Sequence, residues 1–147
     1  MSYVTNDDIE TRLGTSTYIQ LADDDGDNVA DAPVVDEARL GAEGEVNGNL
    51  ARRYAVPIDL TAHPELTDLL KTITLDLIEF RLRARRPPVP EDAARTCKRA
   101  RAFLTALAAG TIHLPGATPI AGNTTAGPIA TALGEGRRLS LDELDDY

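Results

Sequence analysis

The chain has 147 residues, enough for one domain with a modest core, and 42 % of them are hydrophobic. Aromatic residues make up only 4 %, so the core must be built from Leu, Ile, Val and Ala. The formal net charge of −9 argues against a general nucleic-acid-binding surface, which needs cations to replace counterions. The single cysteine, Cys97, excludes an internal disulfide, and no Cys/His cluster indicates zinc.

The N-terminus, MSYVTNDDIE, lacks the basic start and apolar run of a signal peptide. No apolar run approaches the roughly 20 residues of a membrane span. We therefore expect an intracellular, soluble protein.

Charge is distributed unevenly along the chain. Residues 1–50 hold 12 acids and 2 bases, whereas residues 51–110 hold 7 acids and 11 bases. Two interpretations stay open: solvated helix faces, or head-to-tail contact between the acidic end of one copy and the basic middle of the next.

A short first helix is predicted after Thr5. Thr5 can serve as the N-cap, Asp8 suits the positive end of the helix, and Gly14 suits the position just beyond its last turn. Residues 17–21 can form one further turn.

The second helix is predicted to run from Asp31, as N-cap, to about Tyr54. Gly41, Gly44 and Gly48 each weaken it by about 1 kcal/mol relative to Ala, so we expect tertiary packing to compensate. Apolar residues in steps of three or four mark its buried face: Val35, Ala38, Ala42, Val46, Leu50 and Tyr54.

The third helix is predicted over residues 63 to about 86 and should be the central, buried one. A fourth helix is predicted over residues 90–110, followed by a short extended segment over 111–114. The fold class is therefore all-α, a small bundle of about four helices. The broad apolar face of the third helix comprises Leu66, Leu69, Leu70, Ile73, Leu77, Ile78 and Phe80.

The composition changes at Pro115. The following stretch, rich in Gly, Pro, Ala and Thr, cannot bury enough apolar surface by itself to offset its ordering entropy. The final RRLSLDELDDY again contains apolar residues that could bind a partner, and Ser140 and Glu143 are spaced as a capping box. We divide the chain into a helical domain, 1–114, and an extended C-terminal docking arm, 115–147; a disordered tail is the alternative.

The stretch ADDDGDNVAD resembles a calcium loop without matching one. If Asp23, Asp25 and Asp27 take positions 1, 3 and 5 of an EF-hand loop, position 6 is Asn28 rather than glycine. Asp31 then falls at position 9, which leaves a looser calcium loop as one hypothesis. The protein would then be a calcium-responsive helical binding module that uses the acidic loop 23–31. The other is a polar turn whose Asp31 caps the next helix.

Catalysis finds no support in the sequence, and we predict neither catalytic residues nor a cofactor. His63 precedes a proline at a helix start, His113 lies in an apolar segment, and Cys97 lies on an apolar helix side. All three are expected to be structural. A helix-turn-helix DNA binder that uses Arg95 to Arg101 is a further alternative.

The order of motifs resembles the gp36-like head–tail connector (neck or adaptor) proteins of Mu-like phages. MSYVTNDDIETRLG, then QLADDDGDNVAD, then VVDEARLGAEGEVNGNLARRYAVP carry the likeness, with ALAAGTIHLP after the basic helix. The most specific piece is NLARRYAVP. Asn49 and Cys97 depart from the family, where an aromatic residue is usual.

The resemblance implies a helical adaptor that forms a closed ring, of twelve copies, below the portal protein. The ring would seat a tail terminator or other neck proteins, and DNA would pass through it without sequence-specific binding. Arg52 and Arg53 are then expected at contacts between neighbouring copies. The arm residues expected to contact the portal or a neighbour are Arg137, Arg138, Leu139, Leu141, Leu144 and Tyr147.

Overall fold

The computed structural model describes residues 2–120, which form a bundle of α-helices without a β-strand in that range. The all-α prediction is confirmed, with five α-helices. A 3₁₀ turn, Pro64–Leu66, precedes the fourth of them. The helices are α1 Asn6–Leu13, α2 Thr15–Ala22, α3 Ala32–Leu50, α4 Thr67–Ala84 and α5 Glu91–Ala109.

The start of α1 follows the predicted capping pattern. Thr5 Oγ1 accepts the Asp8 N–H at 3.3 Å, and Asp8 Oδ2 accepts the Thr5 N–H at 3.0 Å. Gly14, at φ 78°, ends α1 and begins α2. The single turn predicted over 17–21 is instead an eight-residue helix. Leu21 and Ala22 are buried in the bundle, and this tertiary packing stabilises a helix longer than the local sequence would form alone.

Helix α3 ends at Leu50, four residues before the predicted end. The N–H groups of Arg53 and Tyr54 both donate to the Leu50 carbonyl, at 2.9 and 2.8 Å, so the chain closes in a turn there and the helical ladder stops. The Arg53 carbonyl, free of a helix, accepts the Ile120 N–H at 2.7 Å. The chain turns after Leu50, and Tyr54 enters the core at 1 % exposure.

The Tyr54 hydroxyl accepts the Leu114 N–H at 3.0 Å, so the segment after α5 lies against the turn after α3. The predicted extended segment 111–114 is a bend, because the Thr111 and Ile112 N–H groups both return to the Ala106 carbonyl at the end of α5.

Helix α4 is the central element, as predicted, and contacts every other helix. It ends at Ala84 rather than Arg86. Helix α5 packs on α3 and α4, while α1 and α2 pack on α4, and α2 also touches α3. The residues of α4 that are completely buried, each at 0 % exposure, are Leu70, Thr74, Leu77, Ile78 and Leu82.

A second tyrosine, Tyr3, also joins segments that are distant along the chain. The Tyr3 hydroxyl donates to Asn47 Oδ1 at 2.6 Å and accepts the Ile58 N–H at 2.9 Å. Glu43 accepts the Tyr3 N–H at 2.9 Å. Burial raises the pKa of Tyr3, so its hydroxyl stays protonated and able to donate.

None of the helices in residues 2–120 combines the length and apolar character needed to cross a lipid bilayer.

Candidate interaction surfaces

The acidic loop, residues 23–31, joins α2 to α3 and is held by its own carboxylates. Asp23 accepts the N–H groups of Gly26 at 2.6 Å and Asn28 at 3.0 Å, and Asp27 accepts that of Val29 at 2.8 Å. Asn28 adopts φ 62°, which asparagine tolerates better than most residues. The loop is therefore a defined turn that its own carboxylates stabilise.

Asp31 occupies the predicted N-cap position of α3, but its side chain does not cap the helix. Its carboxylate accepts the Asp24 N–H at 2.8 Å and closes the acidic loop instead. The prediction that the Asp31 side chain caps α3 was wrong, because its carboxylate is bonded to the Asp24 N–H.

Three of the four predicted calcium ligands come together: oxygens of Asp23, Asp25 and Asp27 lie within 4.8 Å of one another. The fourth, Asp31, bonds the loop backbone, and exposed carboxylates converge in this way in turns that bind no ion. The alternative of a calcium-responsive binding module is therefore not supported.

The carboxylates of the acidic loop repel one another, and this repulsion changes the pKa of Asp25. The N–H of Asp27 lowers the pKa of Asp25, but the charge of Asp27, desolvation and the charges of Asp31 and Asp23 outweigh it and leave that pKa raised. A cation brought to this loop would relieve the repulsion.

Arginines at the end of α4 fix the acidic loop to the bundle. Arg85 donates to Asp24 Oδ2 at 2.6 Å and to the Leu21 carbonyl at 3.0 Å, and Arg86 donates to the Asp23 carbonyl at 2.5 Å. The hydrogen bond from Arg85 lowers the pKa of Asp24.

The cations of α5 separate into paired and unpaired groups. Arg101 donates to Glu45 Oε1 at 2.6 Å, and Arg95 pairs with Asp92 one turn earlier. Lys98 and Arg99 are exposed and form no ion pair within residues 2–120. We call Arg95, Lys98 and Arg99 the basic face of α5.

Glu45 links α3 to α4 and α5 through hydrogen bonds. From α3 it accepts hydrogen bonds from Arg81 of α4 at 2.9 Å and Arg101 of α5 at 2.6 Å. The Arg101 guanidinium also lies over the Phe80 ring, 5.5 Å from its centroid. The hydrogen bond from Arg101 lowers the pKa of Glu45. Sequence reasoning missed this cluster because its members are 36 and 56 residues apart.

The Glu45 cluster predicts a pH-dependent loss of stability. Because the folded-state pKa lies below the ordinary value of 4.5, the ionised pair stabilises the fold above pH 4.5 and loses that effect as pH falls through the folded pKa. Glu45→Gln should cost about 1 kcal/mol at pH 7 and much less near pH 3, measured by urea unfolding. Glu37→Gln, at an exposed and unpaired position of the described chain, is the matched control and should change stability little at either pH. An equal loss of stability for Glu45→Gln at pH 7 and at pH 3 would contradict the prediction.

The two arginines predicted at subunit contacts differ in exposure. Arg52 is exposed, whereas Arg53 is buried at 6 % exposure. The Arg53 guanidinium lies directly against Gly110, at the C-terminal end of α5. There a cation suits the negative end of the helix dipole. Arg53 therefore packs within its own chain.

The two histidines and the cysteine have different surroundings. His63 Nδ1 lies 3.3 Å from Glu65 Oε1, His113 is exposed, and Cys97 is buried at 1 % exposure. Burial raises the pKa of Cys97, which keeps the thiol protonated. The predicted arm contacts, Arg137, Arg138, Leu139, Leu141, Leu144 and Tyr147, lie outside the described residues.

Comparison with known protein families gives a match that covers most of the chain. The family model described as bacteriophage Mu, Gp36 matches residues 3–131. That range contains the capped α1, the acidic loop, α3 with its NLARRYAVP end, and the basic α5. No curated protein matches the chain. The chain belongs to the bacteriophage Mu Gp36 family.

Proposed function

We propose that this protein is a structural head–tail connector of a tailed phage. It would form a ring below the portal, join the capsid to the tail and let DNA pass through the centre. The observation that carries the proposal is membership of a bacteriophage family over residues 3–131, in the family that the motif order resembles. The role is one of assembly in the virion neck, without catalysis.

The arrangement of charge supports a ring. Closed rings need heterologous contacts, in which different patches of one copy meet on its neighbour. The chain has an acidic loop between α2 and α3 and a basic face on α5, two surfaces of opposite sign on different elements. A copy with two complementary surfaces can bind one neighbour with each.

The net charge of −9 suits a channel for DNA. A lumen rich in cations would bind phosphates and release counterions, which gives affinity and slows sliding. An acidic or neutral lumen does not hold the duplex. The remaining partners in this proposal are the portal protein and a tail terminator or other neck protein.

A phage that cannot make this chain tests the proposal. An early stop codon in the gene should leave heads that fill with DNA and carry no tails, and plaque formation should return when the full chain is supplied from a plasmid. Electron microscopy of the lysate and the plaque count are the measurements. Tailed particles assembled without the chain, or a failure to form capsids at all, would contradict the connector role.

The docking arm is tested in the same phage with a chain that ends at residue 120. This variant keeps the bonds from Leu114 to Tyr54 and from Ile120 to Arg53, so we expect its helices to fold with an unchanged circular dichroism spectrum. It should restore plaques at least about tenfold less efficiently than the full chain, because a tethered arm adds affinity for the portal or a neighbour. Full complementation by this variant would overturn the arm hypothesis.

A further inference from the structure

Within residues 2–120, the basic face of α5 is exposed and only partly paired. Arg95, Lys98 and Arg99 are all exposed, and only Arg95 has an acidic partner within residues 2–120. Ala94 and Ala102, one turn before and one turn after Lys98, are also exposed, so small apolar side chains lie beside the cations. The opposite side of the helix packs on α3 and α4.

The acidic loop presents the complementary surface. Its carboxylates at positions 23, 25 and 27 are held in place by backbone N–H groups, so little side-chain entropy is lost when a partner binds them. Val29, at 60 % exposure, supplies an apolar residue beside the carboxylates. The loop thus offers fixed negative charge around a small apolar contact.

The two surfaces do not satisfy each other within one chain. The ion pairs of the acidic loop in residues 2–120 come from Arg85 and Arg86, and both of these use Asp24. Asp25 and Asp27 form no ion pair there, and neither do Lys98 and Arg99. Each surface is therefore available to a second copy.

We propose that the acidic loop of one copy docks on the basic face of α5 of the next copy, as the head-to-tail contact between neighbours. This inference rests on the proposed function and names the contact that joins the ring. Lys98 and Arg99 would face Asp25 and Asp27, and Val29 would lie against Ala94 or Ala102 beside the cations. Because the two patches differ, each copy can bind one neighbour through its loop and another through α5.

Duplex DNA is the competing occupant of the basic face, and the structure favours the protein. Within residues 2–120, Arg101 pairs with Glu45 and Arg95 with Asp92, which leaves two cations of this helix without an ion pair. Two phosphate contacts are few for a protein of net charge −9. A loop with fixed carboxylates and an exposed valine matches both the charges and the small apolar residues of α5.

A mixing experiment with two full-length variants tests the contact. The first reverses the basic face, Lys98→Glu with Arg99→Glu, and the second reverses the loop, Asp25→Lys with Asp27→Lys. Each alone should self-associate at least about tenfold more weakly than the unaltered chain in sedimentation velocity at low salt. An equimolar mixture should recover association, since each variant then meets a neighbour of opposite sign. Added salt should weaken association of the unaltered chain.

Controls separate misfolding from loss of contact. Asp68→Lys, an exposed reversal on α4, should leave association unchanged, and circular dichroism should show that both reversed variants keep their helices. An unaltered chain that stays monomeric at low salt, a mixture that does not recover, or salt-dependent binding of duplex DNA lost in the first variant would each overturn the inference. Rings that form on the portal regardless of these charges would leave the connector role intact and remove only this contact.

Discussion

Gly110→Ala is expected to destabilise the protein by about 2–4 kcal/mol. Gly110 adopts φ 78° at the end of α5, a backbone conformation that costs alanine about 1–2 kcal/mol. An added Cβ would also lie 1.7 Å from Arg53 Nη1. The guanidinium must move, and at 6 % exposure for Arg53 it has little space to do so. Urea unfolding followed by circular dichroism measures the loss as a lower midpoint.

Gly44→Ala is the matched control, with the opposite sign expected. Gly44 lies inside α3, is exposed, and has no atom within 4 Å of an added Cβ. The substitution should stabilise the chain by about 0.5–1 kcal/mol, because alanine loses less backbone entropy in a helix. If the two alanine variants had the same stability, the packing described for Arg53 against Gly110 would be wrong.

Tyr3→Phe is expected to cost about 2 kcal/mol. The change removes the hydroxyl that accepts the Ile58 N–H and donates to Asn47. The Ile58 N–H lies in a buried place, and leaving such a donor without an acceptor costs about 1–3 kcal/mol. The measurement is the midpoint of urea unfolding, with the slope of unfolding free energy against urea concentration unchanged.

Tyr18→Phe is the matched control for the hydroxyl. Tyr18 is half-buried, and within residues 2–120 its hydroxyl makes no hydrogen bond. The loss should stay within about 0.5 kcal/mol. A cost for Tyr18→Phe as large as that for Tyr3→Phe would show that removal of a tyrosine hydroxyl in general, and not the link to Ile58, sets the effect.

The sequence predicted the elements whose signals are local. The capped start of α1 and the glycines that end α1 and α5 lie within a turn of the boundaries they mark. The apolar face of α4 repeats over five turns, so its burial and central place were also predicted. The motif order, from the capped start to NLARRYAVP, was sufficient to predict the family.

Predictions were wrong where a group forms its hydrogen bond outside the helix to which local chemistry assigns it. Asp31 lies at the predicted cap position, yet its carboxylate closes the acidic loop through Asp24. Helix α3 stops at Leu50, and the Arg53 carbonyl bonds Ile120, 67 residues further along the chain. The burial of Arg53 against Gly110 depends on where α5 ends, while its expected place at a contact between copies stays a prediction.

By itself, then, the sequence determined the helical class, the central helix, the family and the presence of an acidic loop and a basic helix. Those properties follow from periodicity, capping and charge, which act over a few neighbouring residues. Only the tertiary structure decided which charges are neutralised, because an ion pair such as Glu45 with Arg101 joins residues 56 apart. That Lys98 and Arg99 are exposed and form no ion pair within residues 2–120 could be recognised only once the folded bundle showed which acids pair with Arg81, Arg85 and Arg101.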